Sequence, residues 1–177
     1  VLNDGPVLNL EGSDRIAAYD VHFANLTGHP PFITQPVTGE TLFPEDLFFT
    51  CNGQQPKILV NMDTKDLPTT TTYLDSVFEP SGYFVDQSST RLPFLPFEKT
   101  VSRRFAPGDI DGDGDLDLVI ANGIQNDGAP NVILINNGVG VFTDETELRL
   151  PTGATRLDDT YDVLLSGRAQ KAFNLEE

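Results

Sequence analysis

The stretch Phe105-Ala-Pro-Gly-Asp-Ile-Asp-Gly-Asp-Gly-Asp-Leu-Asp-Leu-Val-Ile-Ala-Asn-Gly123 holds the densest pattern in the chain. Its centre, Asp109–Asp117, sets carboxylates at positions 1, 3, 5, 7 and 9 of a short loop, with Gly114 at position 6. Like charges this close repel, and a hard cation with oxygen ligands relieves the repulsion. Calcium takes about six to eight oxygens, and alternating Asp with a Gly at the sharp turn supplies them. Asp109, Asp111, Asp113, Asp115 and Asp117 are therefore the candidate metal residues.

Outward from the loop, the pattern is that of strands. Val101–Phe105 precedes it, and Leu116–Ala121 and Val132–Ile135 follow as nearly continuous apolar runs. Runs of this kind suit strands covered on both faces. Val141–Thr143 is the fourth strand, reached through Asn137-Gly138, a strong hairpin signal. The segments are short, rich in Val and Ile, and separated by Gly, Pro and Asn breakers. No long segment carries helical periodicity, so the expected class is all-β.

The same phrase occurs more than once. Gly82-Tyr-Phe-Val-Asp-Gln-Ser-Ser-Thr-Arg-Leu-Pro93 lies over Gly140-Val-Phe-Thr-Asp-Glu-Thr-Glu-Leu-Arg-Leu-Pro151, with Phe, Asp, Arg, Leu and Pro in step. Pro56–Asn61 lies over Asn131–Asn136, and Ile16–Asn25 lies over the segment ending at Asp109. Thr160-Tyr-Asp-Val163 restarts the phrase carried by Tyr19-Asp-Val21. Four short antiparallel strands per repeat point to β-propeller-type blades, whose sheets need neighbours to bury their faces. The expected layout within residues 1–177 is a partial blade at 1–15, a degenerate repeat at 16–93, a complete repeat at 101–151 and the start of a further blade at 160–177.

Composition narrows the partners. The chain has 177 residues and a net charge of −16, from 27 acidic and 11 basic residues. Such a balance disfavours nucleic acid, whose phosphates need a Lys/Arg surface, and anionic lipid. No apolar run approaches the roughly 20 residues of a membrane span. The single cysteine, Cys51, cannot form an internal disulfide and reads as a small buried hydrophobe. The chain opens Val1-Leu-Asn, without an initiating Met or signal peptide, as a mature secreted product or a fragment would.

Phe105–Gly123, continued by Asn131-Val-Ile-Leu-Ile-Asn-Asn-Gly-Val-Gly-Val-Phe-Thr-Asp144, closely resembles the FG-GAP/VCBS repeat. That repeat builds the propellers of integrin α-subunit heads and of many bacterial secreted and surface proteins. The best match covers about Val101–Pro151, and a weaker copy covers about Ile16–Pro93. The resemblance implies that the loop between the first two strands of a blade holds Ca²⁺. Carried over, Asp109, Asp111, Asp113 and Asp117 are side-chain ligands and Asp115 offers its backbone carbonyl. Ile110 and Leu116 are expected to point inward and anchor the loop. An EF-hand is excluded, because position 12 is Ile120 within a strand and not a bidentate Glu.

The other copies depart from the pattern. The first loop, Asn25-Leu-Thr-Gly-His-Pro30, has no carboxylate, and the third would fall near Gly167-Arg-Ala-Gln170. One calcium site is expected, with a dissociation constant of ~10⁻⁴–10⁻³ M as in extracellular modules. Two whole repeats and two partial ones do not close a ring of about four to eight blades. Either the chain is part of a longer one, or neighbouring copies of itself complete the unfinished blades, as exposed edges invite.

Asn25-Leu-Thr27 fits the N-glycosylation pattern, which requires a secreted, exposed loop. Thr69-Thr-Thr-Thr72, in the long Met62–Gly82 insertion, reads as a surface loop or an O-glycosylated one. His22 and His29 form no nucleophile or zinc constellation and are read as structural or solvated. Arg91 and Arg149, in step before Leu-Pro, are read as ties from a blade edge to a neighbouring carboxylate.

The resulting expectation is a secreted or cell-surface module, stabilised by Ca²⁺, serving structure, assembly or adhesion and not catalysis. The alternatives are an adhesin propeller that grips a protein or glycan ligand, and the accessory domain of a secreted hydrolase or lyase.

Overall fold

The computed structural model describes residues 18–30, 33–34, 41–51, 53–63, 80–96, 99–123, 129–150, 160 and 162–165. The proposed partial blade at 1–15, Thr69–Thr72 and the third loop at 167–170 lie outside them. The described part is all-β, with two four-stranded antiparallel sheets.

The first sheet comprises β1 (Ala18–Ala24), β4 (Asp46–Cys51), β5 (Lys57–Asp63) and β6 (Pro80–Asp86), paired in that order. A small hairpin of β2 (Ile33–Thr34) and β3 (Thr41–Leu42) is inserted between its first two strands. The second sheet is an uninterrupted meander of β7 (Ser102–Gly108), β8 (Asp117–Asn122), β9 (Val132–Asn136) and β10 (Phe142–Asp144). β9 is buried along its whole length, and β8 at every position but Val119, as expected of apolar runs covered on both sides. β7 runs on past Phe105 through Pro107, which an edge strand tolerates because it gives up no central ladder bond.

The two sheets share one register. Ala24 faces Asp46 as Gly108 faces Asp117, Leu47 faces Leu59 as Leu118 faces Leu134, and Asn61 faces Phe84 as Asn136 faces Phe142. Each sheet ends in a four-residue helical turn, α1 (Ser88–Arg91) and α2 (Thr146–Arg149), too short to leave a periodic trace in sequence. The turns are held alike. Asp86 accepts from the backbone N–H and hydroxyl of Ser88, whose Oγ accepts from Ile58 N–H at 3.0 Å. Asp144 accepts from both groups of Thr146, whose Oγ1 accepts from Ile133 N–H at 3.0 Å. This is why Asp86 and Asp144 recur in step.

The sheets pack through β7, which lies against β1 and β4. Successive side chains of a strand point to opposite faces. His22 on the inner face of β1 meets the Phe105 ring edge-on at 4.8 Å, and Phe48 meets it at 4.7 Å. Ala24, Leu26, Phe48, Ile58 and Val60 of the first unit form one core with Phe105, Leu118, Ile120, Val132, Leu134 and Phe142 of the second. On the outer face of β1, Tyr19, Val21 and Phe23 are exposed. Cys51 is buried, and burial pushes its thiol up to about 11, so at neutral pH it is an inert core residue as expected.

Candidate metal centre

The Asp109–Asp117 loop joins β7 to β8. Its residues first satisfy one another: Asp109 Oδ1 accepts from Gly112 N–H at 2.7 Å, and Asp113 Oδ1 from Asp115 N–H at 2.9 Å. These are Asx-type turns, in which a short acidic side chain bonds the backbone a few residues on. Gly112 and Gly114 take φ of 87° and 100°, the left-handed region that a Cβ disfavours. The chain thereby coils tightly enough to fold its carboxylates together.

Asp117 anchors the coil. It is fully buried, its Oδ2 accepts from Ile110 N–H at 2.8 Å, and its Oδ1 accepts from Asn136 N–H at 2.8 Å. Burial raises its pKa, opposed by these bonds and reinforced by Asp111. Asp115 is raised too, by desolvation first and then by Asp113, Asp109 and Asp111. Desolvation leads both shifts, and the like charges gathered in the loop add to it.

One carboxylate oxygen from each of Asp109, Asp111 and Asp117 lies within 4.8 Å of the others. Asp113 and Asp115 are outside this group; Asp115 lies instead against Gly138. Leu116 packs on the core, while Ile110 is half-buried and contributes its backbone N–H. Three hard oxygen donors with no sulfur or imidazole suit an alkaline-earth cation.

The degenerate loop of the first sheet holds what sequence alone did not reveal. Asp46, at the position of Asp117, returns a carboxylate to the loop after the β2–β3 insertion. It is fully buried. Its Oδ2 accepts from Leu26 N–H at 3.1 Å, Thr27 N–H at 3.0 Å and the Thr27 hydroxyl at 2.8 Å, while its Oδ1 accepts from Asn61 N–H at 3.0 Å. His29 Nε2 stands 3.8 Å from Oδ1. Burial lowers the His29 pKa, with Arg91 acting the same way and Asp46 and Asp63 opposing. The first loop is thus completed by protein groups, in the place where the second gathers carboxylates.

Asn25, the glycosylation candidate, donates from Nδ2 to His29 O at 2.8 Å and accepts at Oδ1 from His29 N–H at 2.9 Å. A glycan on Nδ2 would replace one of its two hydrogens and leave only the other to donate to His29 O. Asn136 is another residue whose role the sequence did not disclose. Its Nδ2 donates to Leu26 O at 2.8 Å and Leu116 O at 3.1 Å, and its Oδ1 accepts from Gly138 and Gly140 N–H. One buried amide therefore joins both loops and the β9–β10 turn. Its signal was present: Asn61 and Asn136 recur in step.

The two repeated arginines also stand beside these loops. Arg149 pairs through Nε with Glu145 at 2.8 Å and through Nη2 with Asp111 at 3.6 Å, the expected tie to a carboxylate. Arg91 differs: it donates to Gln87 Oε1 at 2.6 Å and across to the Val139 carbonyl of the second sheet.

No curated protein and no solved structure matches the chain significantly. A family model does match, that of the FG-GAP-like repeat, over residues 109–163. The match begins at the first carboxylate of the loop and runs through β8, β9, β10 and α2. The chain therefore carries an FG-GAP-like repeat, headed by the acidic loop Asp109–Asp117.

Proposed function

We propose that this chain is an extracellular, calcium-stabilised repeat module with a structural, assembly or adhesive role and no catalytic one. The observation that carries the calcium reading is the convergence of Asp109, Asp111 and Asp117 within 4.8 Å at the head of the FG-GAP-like repeat. Ca²⁺ there neutralises the loop and pins β7 to β8; backbone carbonyls and water complete its shell. An affinity of ~10⁻⁴–10⁻³ M suits the calcium levels outside cells. Among the described residues no helix is long and apolar enough to cross a membrane.

The assembly reading draws on the repeat itself. Phe105 is buried under the first sheet, whereas Val21, its counterpart, is 48% exposed between Tyr19 and Phe23. A propeller-type stack would lay another sheet on that face, supplied by a neighbouring copy or by further chain.

Melting in 10 mM calcium and in EDTA tests the calcium reading. At ten times the dissociation constant the ion adds about 1.4 kcal/mol, or roughly 4 °C in Tm for a chain of this size. Asp111→Ala should abolish the difference. Thr27→Ala should lower both melts and leave the difference intact. Identical melts for the wild type with and without calcium would sink the reading. Light scattering reads assembly, and a species of 19.4 kDa under all calcium conditions counts against it.

A further inference from the structure

We propose that Arg149 is a built-in competitor for the cation at the acidic loop, holding Asp111 when calcium is absent and yielding it when calcium binds. The inference rests on the calcium reading above. Three observations carry it. Arg149 Nη2 lies 3.6 Å from Asp111 Oδ2, one of the three converging carboxylates, while its Nε is fixed by Glu145 at 2.8 Å. The guanidinium is therefore anchored at one end and leans on the loop with the other. The two side chains are partly exposed, at 27% and 24%, and Asp111 as a whole residue is exposed, so solvent screens the pair.

The sister sheet supplies the control. Counted on from Ala24 and Gly108, Thr27 takes the place of Asp111, and counted on from Asp86 and Asp144, Arg91 takes the place of Arg149. With no carboxylate at Thr27, Arg91 keeps its anchor on Gln87 and sends its free end across to the Val139 carbonyl. The same side chain thus has two destinations, and the carboxylate of the neighbouring loop decides between them. A divalent ion that draws Asp111 into its shell would remove the attraction holding Arg149 and would repel the guanidinium as a like charge. Arg149 would thereby become free for a carbonyl outside its own loop, as Arg91 already is.

Calcium affinity of the full chain, measured by calorimetry, tests the proposal in wild type, Arg149→Gln and Arg91→Gln. An exposed-to-intermediate pair of this kind corresponds to about two- to fivefold in affinity, so Arg149→Gln should bind calcium that much more tightly. The same variant should fall further below wild type in EDTA than in saturating calcium, where only the Glu145 pair is missing. Arg91→Gln should melt lower in both and keep wild-type affinity. Unchanged or weaker calcium binding in Arg149→Gln, with binding intact in wild type, overturns this inference alone. Absence of binding in wild type overturns it together with the calcium reading.

Discussion

Two buried aspartates in matching positions have opposite solutions to the same problem. A carboxylate removed from water must be paired or fully hydrogen-bonded. Asp46 takes four hydrogen bonds from Leu26, Thr27 and Asn61, whereas Asp117 takes two from backbone groups and faces Asp109 and Asp111. Asp46→Ala strands those donors and should cost about 3 kcal/mol, equally in calcium and in EDTA. Asp117→Asn should instead cost most in calcium, where the wild type gains and the variant does not; denaturant titration in both buffers distinguishes them. His29 adds a pH dependence. Its ordinary value is 6.5 and burial lowers it in the fold, so the folded state favours the neutral ring. Its contribution is full above about pH 6.5 and is lost as pH falls through that value toward the lowered one. Stability of His29→Gln, followed from pH 7.5 to 5, should fall less steeply than that of wild type.

Among the elements, legibility followed burial and continuity. β8 and β9 were plain in sequence because both of their faces are apolar and buried, Leu118, Ile120, Val132 and Leu134 on one and Ala121, Ile133 and Ile135 on the other. The acidic loop was plain because its ligands are contiguous. Asp46 was not, since β2 and β3 intervene between it and Asn25, although Asp46-Leu47 repeats the Asp117-Leu118 pair. α1 and α2 have no periodic signal because each is four residues long; their trace in sequence is a shared Asp-x-Ser/Thr, Asp86 with Ser88 and Asp144 with Thr146. Asp144 illustrates how firmly these turns are fastened. Burial alone would raise its pKa, yet Lys99 at 2.7 Å and Thr146 hold it below the usual value.

At the scale of the molecule, the two sheets are one unit used twice, joined by Phe48 on Phe105, by Asn136 on Leu26 and by Arg91 on Val139. The loop that bridges β1 and β4 has a bearing on how such a unit can be altered. Asp46 re-enters the fold through its own carboxylate, and Asn25 closes the loop locally on His29. Among the described residues, both ends of the insertion that carries β2 and β3 are tied by bonds of their own. A foreign epitope or a short Gly-Ser linker could replace it, with loop length itself adding little entropy. Such a chimera should keep the calcium-dependent melt of the parent chain, which would make this segment a natural grafting point for displaying peptides on the scaffold.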